Sequence, residues 1–259
     1  MCVGSDPHFA IRLSGGSLLC YTFQGIHGAI FNLVSNEQLQ MNARFVPDDT
    51  AYNNTWLGSI VISILDNGNK VTTLQFTAAD GLVRIGERVQ LDARTVKKLS
   101  FNNGKLTVLE APSNHTPRYP RIHVEFINSE LDFTIRFAKN NHLDLYWHST
   151  GLPFEDSRGI VGEYISLTGA CICCKQVVFF SSAGQFFRRG VSIDATARLL
   201  RIPGRLPVPV EQQDLWKFME QSLHSDTKCW TSAYHSSQGA GIVQGTYEDY
   251  IVDDLLTVN

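Results

Sequence analysis

The sequence predicts an all-β fold, an antiparallel β-sandwich or barrel-like domain with one short late α-helix. Apolar and polar residues alternate with a period of two in short runs rich in β-branched and aromatic residues. Turn signals containing Gly, Asn and Asp recur every 8–12 residues or so. The 259 residues are 43% hydrophobic and 18% charged. That composition is typical of a globular chain, and the length suits one large β domain with a sizeable core.

The first half of the chain predicts strands joined by short turns. Asp66-Asn67-Gly68-Asn69 separates two alternating runs and so predicts a hairpin over 57–77. Asn102-Asn103-Gly104 predicts a second hairpin turn within 89–110. The remaining strand runs lie at 8–13, 18–23, 29–34, 35–46 and 121–148.

The second half predicts one more hairpin and the helix. Residues 195–211 alternate around Pro203-Gly204, which predicts a turn there. Residues 210–225 carry Leu215, Trp216, Met219 and Leu223 on one helical stripe, with acids and amides between them. We expect this stripe to be a packing face.

Composition argues against two classes of partner. The formal net charge is −3, and the sequence has no basic stripe with interleaved aromatics, so no nucleic-acid partner is expected. No apolar run reaches about 18 residues, so no membrane span is expected. The N-terminus lacks the apolar core of a signal peptide, which alone suggests a cytosolic chain. The same start is expected in a secreted domain cut from a longer precursor.

Motifs of common enzymes do not occur in the sequence. It has no P-loop, no GxSxG and no HExxH, and the glycine-rich run 239–245 has one residue too many for a dinucleotide fingerprint. His142 and His148 flank a predicted strand. We expect them to be hydrogen-bonded or surface histidines and not metal ligands. The acidic run 248–254 suits a solvated terminus better than a Ca²⁺ site. We therefore expect no enzyme, no cofactor and no metal.

Six cysteines and two sequons leave the cellular compartment open. The cysteines permit up to three disulfides with 15 connectivities, and their spacing does not favour zinc. Asn53-Asn54-Thr55 and Asn114-His115-Thr116 are N-glycosylation sequons, which matter only in a secreted chain. The cysteines are Cys2, Cys20, Cys171, Cys173, Cys174 and Cys229.

Asp6-Pro7-His8 is the stretch with local chemistry of its own. The Asp6 carboxyl can attack its own main-chain carbonyl, and the Pro7 nitrogen is a good leaving group because its amide is easily twisted. His8 can shuttle the proton. A hydroxyl would trap the acyl group as an ester, and water would hydrolyse it. The alternative is an ordinary Asp-Pro turn.

Several segments, in order, resemble the C-terminal domain of inter-α-trypsin inhibitor heavy chains, which is distantly similar to von Willebrand factor type D domains. The opening DPHFAIRLSGGSLLCYTFQGIHGAIFNLVS (6–35) resembles the start of that domain, and KCWTSAYHSSQGAGIVQGTYEDYIV (228–252) resembles its end. Between them, 144–164 and 200–210 resemble internal family segments. The resemblance implies one domain over 6–259, preceded by a stub of residues 1–5.

The family resemblance also implies a function. It implies a secreted, non-enzymatic matrix or precursor domain linked to hyaluronan metabolism. The chain would be cut between Asp6 and Pro7, and Asp6 would be esterified to a glycosaminoglycan with the help of His8. It implies a Cys20–Cys229 disulfide, whereas Cys2 is left to pair with one of Cys171, Cys173 and Cys174 or with another chain. The partners that it implies are a glycosaminoglycan or another matrix protein. Two rival hypotheses are a self-processing Asp-Pro module and a structural protein assembling through cysteines or strand edges. A cytosolic chain would instead carry free thiols.

Overall fold

The computed structural model describes a chain built of strands. The described residues are 2–4, 8–12, 18–23, 25–47, 55–66, 70–86, 89–93, 98–101, 104–109, 121–126, 131–137, 141–149, 157–162, 178–180, 186–188, 191–193, 196–199, 228–231 and 248–257. The strands with bounds in these ranges are β1 (Cys2–Gly4), β2 (His8–Arg12), β3 (Leu18–Thr22), β4 (Ile30–Ser35), β5 (Leu39–Pro47), β6 (Thr55–Asp66), β7 (Lys70–Thr77), β8 (Leu82–Ile85), β9 (Val89–Asp92), β10 (Lys98–Phe101), β11 (Gly104–Leu109), β12 (Arg121–Phe126), β13 (Leu131–Phe137), β14 (Leu143–Ser149), β15 (Val178–Phe180), β16 (Phe186–Arg188), β17 (Val191–Ile193), β18 (Thr196–Leu199), β19 (Lys228–Thr231) and β20 (Ile251–Val252).

An antiparallel meander forms one arm of the main sheet. Its strands pair in the order β9-β8-β7-β6-β5-β4, and β20 pairs with β4. The register shifts between Asn32 and Val34 and again between Arg44 and Phe45. Such bulges bend a strand and increase its twist, which helps the sheet to curl. We call β4–β9 the meander.

The second arm joins distant parts of the chain. Strands β10 to β14 pair in order, β14 pairs with β1, and the series continues through β2, β3, β19 and β18. Pairing is antiparallel except between β3 and β19, which run parallel. We call β1, β2, β3, β18 and β19 the terminal strands. Leu143 pairs with Leu57, which links this arm to the meander.

A cluster of phenylalanine rings lies where the two arms meet. Phe23 contacts Phe9 of β2, Phe31 of β4 and Phe45 of β5 in edge-to-face geometry, with ring centroids 6.4, 5.2 and 5.8 Å away. All four rings are fully buried. Burying one such side chain contributes roughly 1.5–3 kcal/mol, so this cluster is a major source of cohesion between the arms.

The all-β prediction is confirmed, with a curled and mainly antiparallel sheet of half-barrel shape. The hairpin predicted over 57–77 is confirmed, since Asp66 pairs with Lys70. The second predicted hairpin is confirmed too, because β10 pairs antiparallel with β11 and Phe101 pairs with Gly104. The predicted helix at 210–225 and the turn at Pro203-Gly204 lie outside the described residues. The described part of that predicted hairpin is β18, which pairs with β19. Among the described residues, no helix is long and apolar enough to cross a membrane.

Candidate functional site

The Asp-Pro motif connects two paired strands. Cys2, Val3 and Gly4 of β1 oppose Ala10, Phe9 and His8 of β2. Asp6 and Pro7 lie outside the described residues, and with Ser5 they link Gly4 to His8. The sequence-predicted processing bond is therefore flanked on both sides by backbone fixed in the sheet, and His8 occupies the first position of β2.

Strand β2 is anchored by the residue after His8. Phe9 is fully buried, and its ring packs edge-on against Phe23. On the other side, His8 of β2 pairs with Thr22 of β3. An aromatic anchor and two strand neighbours hold the backbone of His8 in place, immediately after the bond in question.

Strand β1 lies inside the sheet, with a neighbour on each side. Cys2 and Val3 pair with Tyr146 and Leu145 of β14 as well as with β2. The residues before Asp6 thus connect the β10–β14 strands to β2 through backbone hydrogen bonds. A cut between Asp6 and Pro7 would remove the covalent link and leave these two ladders in place.

The strand register brings three of the cysteines into one row. Trp230 pairs with Tyr21 and Thr231 with Thr22, so Cys229 and Cys20 occupy the preceding position on adjacent strands. Adjacent strands are about 4.8 Å apart, close to the Cα separations of disulfides, about 4.4–6.8 Å. Cys2 and Cys20 both pair with Ala10, which puts two strand spacings, about 9.6 Å, between them. Cys171, Cys173 and Cys174 lie outside the described residues.

The two predicted glycosylation asparagines, Asn53 and Asn114, lie outside the described residues. The third residue of the first sequon is described. Thr55 opens β6, is fully buried, and its Oγ1 accepts a hydrogen bond from the Gly25 backbone nitrogen at 3.0 Å. This threonine therefore has a structural role that is independent of any glycan at Asn53.

The two histidines at β14, His142 just before the strand and His148 near its end, do not come together. His142 is buried against the indole of Trp56, and its Nε2 lies 3.8 Å from Oδ1 of the buried Asp144. His148 lies six positions further along an extended strand, about 20 Å away. Across the described ranges, no group of three His, Cys, Asp or Glu side chains is arranged to hold a metal ion.

A buried polar cluster on the meander was missed by the sequence analysis. Asn32, Gln40 and Asn42 are at most 5% exposed and bond to one another, and Asn36 Nδ2 donates to Ser157 Oγ at 3.2 Å. Their signal in the sequence is a row of amides at the alternate positions 36, 38, 40 and 42, with Asn32 as the single amide of β4. This pattern is indistinguishable from a solvent-facing row. The covering segments that bury them come from residues far away in the sequence.

No protein-family model matches this chain, and no curated protein matches it. The likeness to inter-α-trypsin inhibitor heavy chains therefore rests on the sequence segments quoted above alone.

Proposed function

We propose that this chain is a secreted, non-enzymatic β domain of the inter-α-trypsin inhibitor heavy-chain type. Its role is in hyaluronan metabolism and matrix organisation, with the Asp6–Pro7 bond as its processing and ester-transfer site. The observation that carries the proposal is the position of this bond between two paired strands, β1 and β2. A fixed backbone on both sides limits the conformations open to the linking residues, which favours an intramolecular attack.

The chemistry needs one proton shuttle and one acceptor hydroxyl. A carboxylate oxygen of Asp6 attacks the Asp6 main-chain carbonyl, the C–N bond to Pro7 breaks, and the Pro7 nitrogen takes a proton from His8. A sugar hydroxyl then opens the cyclic anhydride at the main-chain carbonyl, restoring the side-chain carboxylate and returning its proton to His8. One peptide bond is exchanged for one ester, and Pro7 becomes a new N-terminus.

Two further features support a secreted chain. Cys20 and Cys229 occupy neighbouring positions on β3 and β19, at a spacing that suits a disulfide, and disulfides persist in oxidising compartments. The sequons at Asn53 and Asn114 fit the same setting. The partner expected from the chemistry is a glycosaminoglycan, whose hydroxyl groups serve as acceptors.

Two epitope tags on the full chain test this proposal. The chain is expressed behind a cleavable secretion signal in animal cells that make hyaluronan and chondroitin sulfate, with one tag between that signal and Met1 and another after Asn259. The N-terminal tag is expected in a high-mass smear that collapses on hyaluronidase or chondroitinase treatment, while the C-terminal tag stays on a body beginning at Pro7. Asp6→Ala removes the attacking carboxylate and Pro7→Ala the favourable leaving group, so both variants should stay uncleaved.

Each alternative gives a different pattern in the same experiment. A self-processing module cuts at Asp6–Pro7 in purified protein at mildly acidic pH and leaves a free acid on Asp6. A structural assembly protein stays uncut and forms reductant-sensitive multimers on non-reducing gels. Uncut monomer in the presence of both glycosaminoglycans contradicts the proposal.

A further inference from the structure

The two arms of the main sheet meet at a short backbone contact beside β14. Among the described strands, Leu57 of β6 pairs with Leu143 of β14, and we call this pairing the joint. The other edge of β14 is occupied by β13 along its whole length. Strands β1 and β6 therefore share one edge of β14, with β1 at Leu145 and Tyr146 and β6 at Leu143.

Strand β6 changes its partner directly after the joint. From Ser59 onward it pairs with β7, and the Ala78 nitrogen donates to the Gly58 carbonyl oxygen at 2.9 Å. The joint is thus a short ladder at the start of a strand whose long ladder belongs to the meander. Short ladders open at a lower free energy than long ones, so the side chains beside the joint determine how firmly it is closed.

The joint has one apolar face and one polar face. Leu57 and Leu143 belong to the main core. Their chain neighbours Trp56, His142 and Asp144 therefore belong to the opposite face. His142 and Asp144 are only 6% and 0% exposed, so the charge that they carry affects the stability of this region strongly.

His142 contacts both sides of the joint. Its ring centroid lies 3.5 Å from that of Trp56 in β6, and its Nε2 lies 3.8 Å from Asp144 Oδ1 in β14. A carboxylate at this distance favours the imidazolium form, and an indole ring favours a cation within about 6 Å of its centroid. Burial opposes the charge on the imidazole. The same proton, however, gives the buried carboxylate a cationic neighbour, which reduces the cost of burying Asp144.

The other charged or titratable groups around the joint come from four neighbouring elements. They are Arg136 on β13, opposite Asp144; His8 on β2, beyond Gly4 of β1, which is level with Asp144; Arg44 on β5, opposite Ser59; and Asp80 in the turn after β7. Arg44 and Asp80 are exposed, so water and salt screen them. An arginine at the register position of Arg136 favours the ionised form of Asp144, which is the form that attracts a proton to His142.

We propose that His142 is a pH-dependent tie across the joint: protonated, it holds Trp56 of β6 to Asp144 of β14, and deprotonated, it loosens the joint. The sign follows from linkage. A proton that the folded chain binds more tightly than the unfolded chain contributes its full stability below about pH 6.5, where an ordinary histidine is charged, and this contribution is lost as the pH rises. The two arms are thus held together more firmly in mildly acidic surroundings. The proposal is independent of the processing chemistry at Asp6.

Matched histidine variants of the full-length chain test the tie by urea titration at pH 6 and pH 8. Over this interval the wild-type folding equilibrium constant should fall about tenfold more than that of His142→Gln, which cannot be protonated; tenfold corresponds to one pH unit of difference in proton affinity. His27→Gln removes an exposed histidine and should keep the wild-type pH dependence. Parallel pH dependences for His142→Gln and the wild type overturn the proposal.

Hydrogen exchange shows whether the effect lies at the joint. After correction for intrinsic exchange rates, wild-type peptides covering 55–58 and 141–144 should lose protection between pH 6 and pH 8, whereas a peptide covering 60–65 in the β6–β7 ladder should keep it. Equal changes in the three peptides contradict a local tie.

NMR titration of the wild-type chain measures the proton directly and needs no variant to fold. The His142 Cε1–H signal should titrate at a higher pH in the folded chain than in the urea-unfolded chain. Asp144→Asn, where it folds by circular dichroism, should move the folded-state titration to lower pH because the carboxylate is gone. A folded-state titration of His142 at or below that of the unfolded chain overturns the proposal.

Discussion

The meander and the terminal strands belong to one sheet but are formed differently. Meander strands pair with their sequence neighbours, as in β5–β6 and β6–β7. Terminal strands also pair locally, as β1 does with β2 and β2 with β3, but they join the rest of the chain through distant partners, as β1 does with β14 and β3 with β19. Closing a long loop costs entropy before its contacts stabilise the fold. The comparison indicates that the meander can form first, whereas the terminal strands, which flank the Asp-Pro motif, need additional ties.

Phe23 is the side chain whose loss should affect both regions most. Phe23→Ala removes a fully buried ring that contacts Phe9 in the terminal strands and Phe31 and Phe45 in the meander. We expect the free energy of unfolding to fall by about 3–5 kcal/mol in urea titrations. Ile26→Ala, at a site that is 44% exposed, is the control and should change it by less than about 0.5 kcal/mol. A loss below about 1 kcal/mol for Phe23→Ala would show that the arms are joined elsewhere.

The proposed Cys20–Cys229 disulfide should stabilise the terminal strands. If Cys20 and Cys229 are bonded, Cys229→Ser should lower the free energy of unfolding by roughly 3–5 kcal/mol, because the bond closes a loop over most of the chain. The variant should also lose the sensitivity of its melting temperature to reductant. Cys2→Ser is the control, since Cys2 is two strand spacings from Cys20. Equal reductant sensitivity in the two variants would contradict the pairing.

Gly159 should be the sensitive position where residues 157–162 cover the meander. Its φ is +97°, and an added Cβ would lie 2.5 Å from Asn32 Oδ1 and 2.7 Å from the Leu33 backbone. Gly159→Ala should lower the free energy of unfolding by about 2–3 kcal/mol, because backbone strain and overpacking act together. Gly28 has a φ of +80°, but an added Cβ would meet no atom within 4 Å. Gly28→Ala should therefore lower the free energy of unfolding by only about 1 kcal/mol. Equal melting temperatures for the two variants would remove the steric part of this explanation.

The smallest effect is expected at the Lys105–Glu125 pair on β11 and β12. The charged atoms are 3.0 Å apart, but both side chains are well exposed, at 39% and 42%. Water and salt screen such pairs, so Lys105→Ala should change the free energy of unfolding by less than about 0.5 kcal/mol. Urea titrations in 50 mM and 500 mM salt check this. A larger loss that disappears at high salt would mean that the pair is coupled to other charges.

The same contrast explains how far the sequence could be interpreted. Local turns such as Asp66-Asn67-Gly68-Asn69 specify their own hairpin, so the meander was predictable from period and turn chemistry. The parallel β3–β19 pairing has no local signal, since it depends on where distant strands meet. The amides Gln40 and Asn42 look like solvent-facing residues because the C-terminal segment that buries them lies more than 200 positions away. The Asp-Pro hypothesis could be drawn from the sequence because it concerns consecutive residues, and it stays a prediction.

Mass spectrometry of the N-terminal peptides of the secreted protein tests the central claim most directly. After digestion of glycosaminoglycans, the proposal predicts a peptide ending at Asp6 with a sugar remnant on its α-carboxyl, together with a body that begins at Pro7. Only an intact peptide spanning Asp6–Pro7, from folded protein made in cells that supply both glycosaminoglycans, would contradict it.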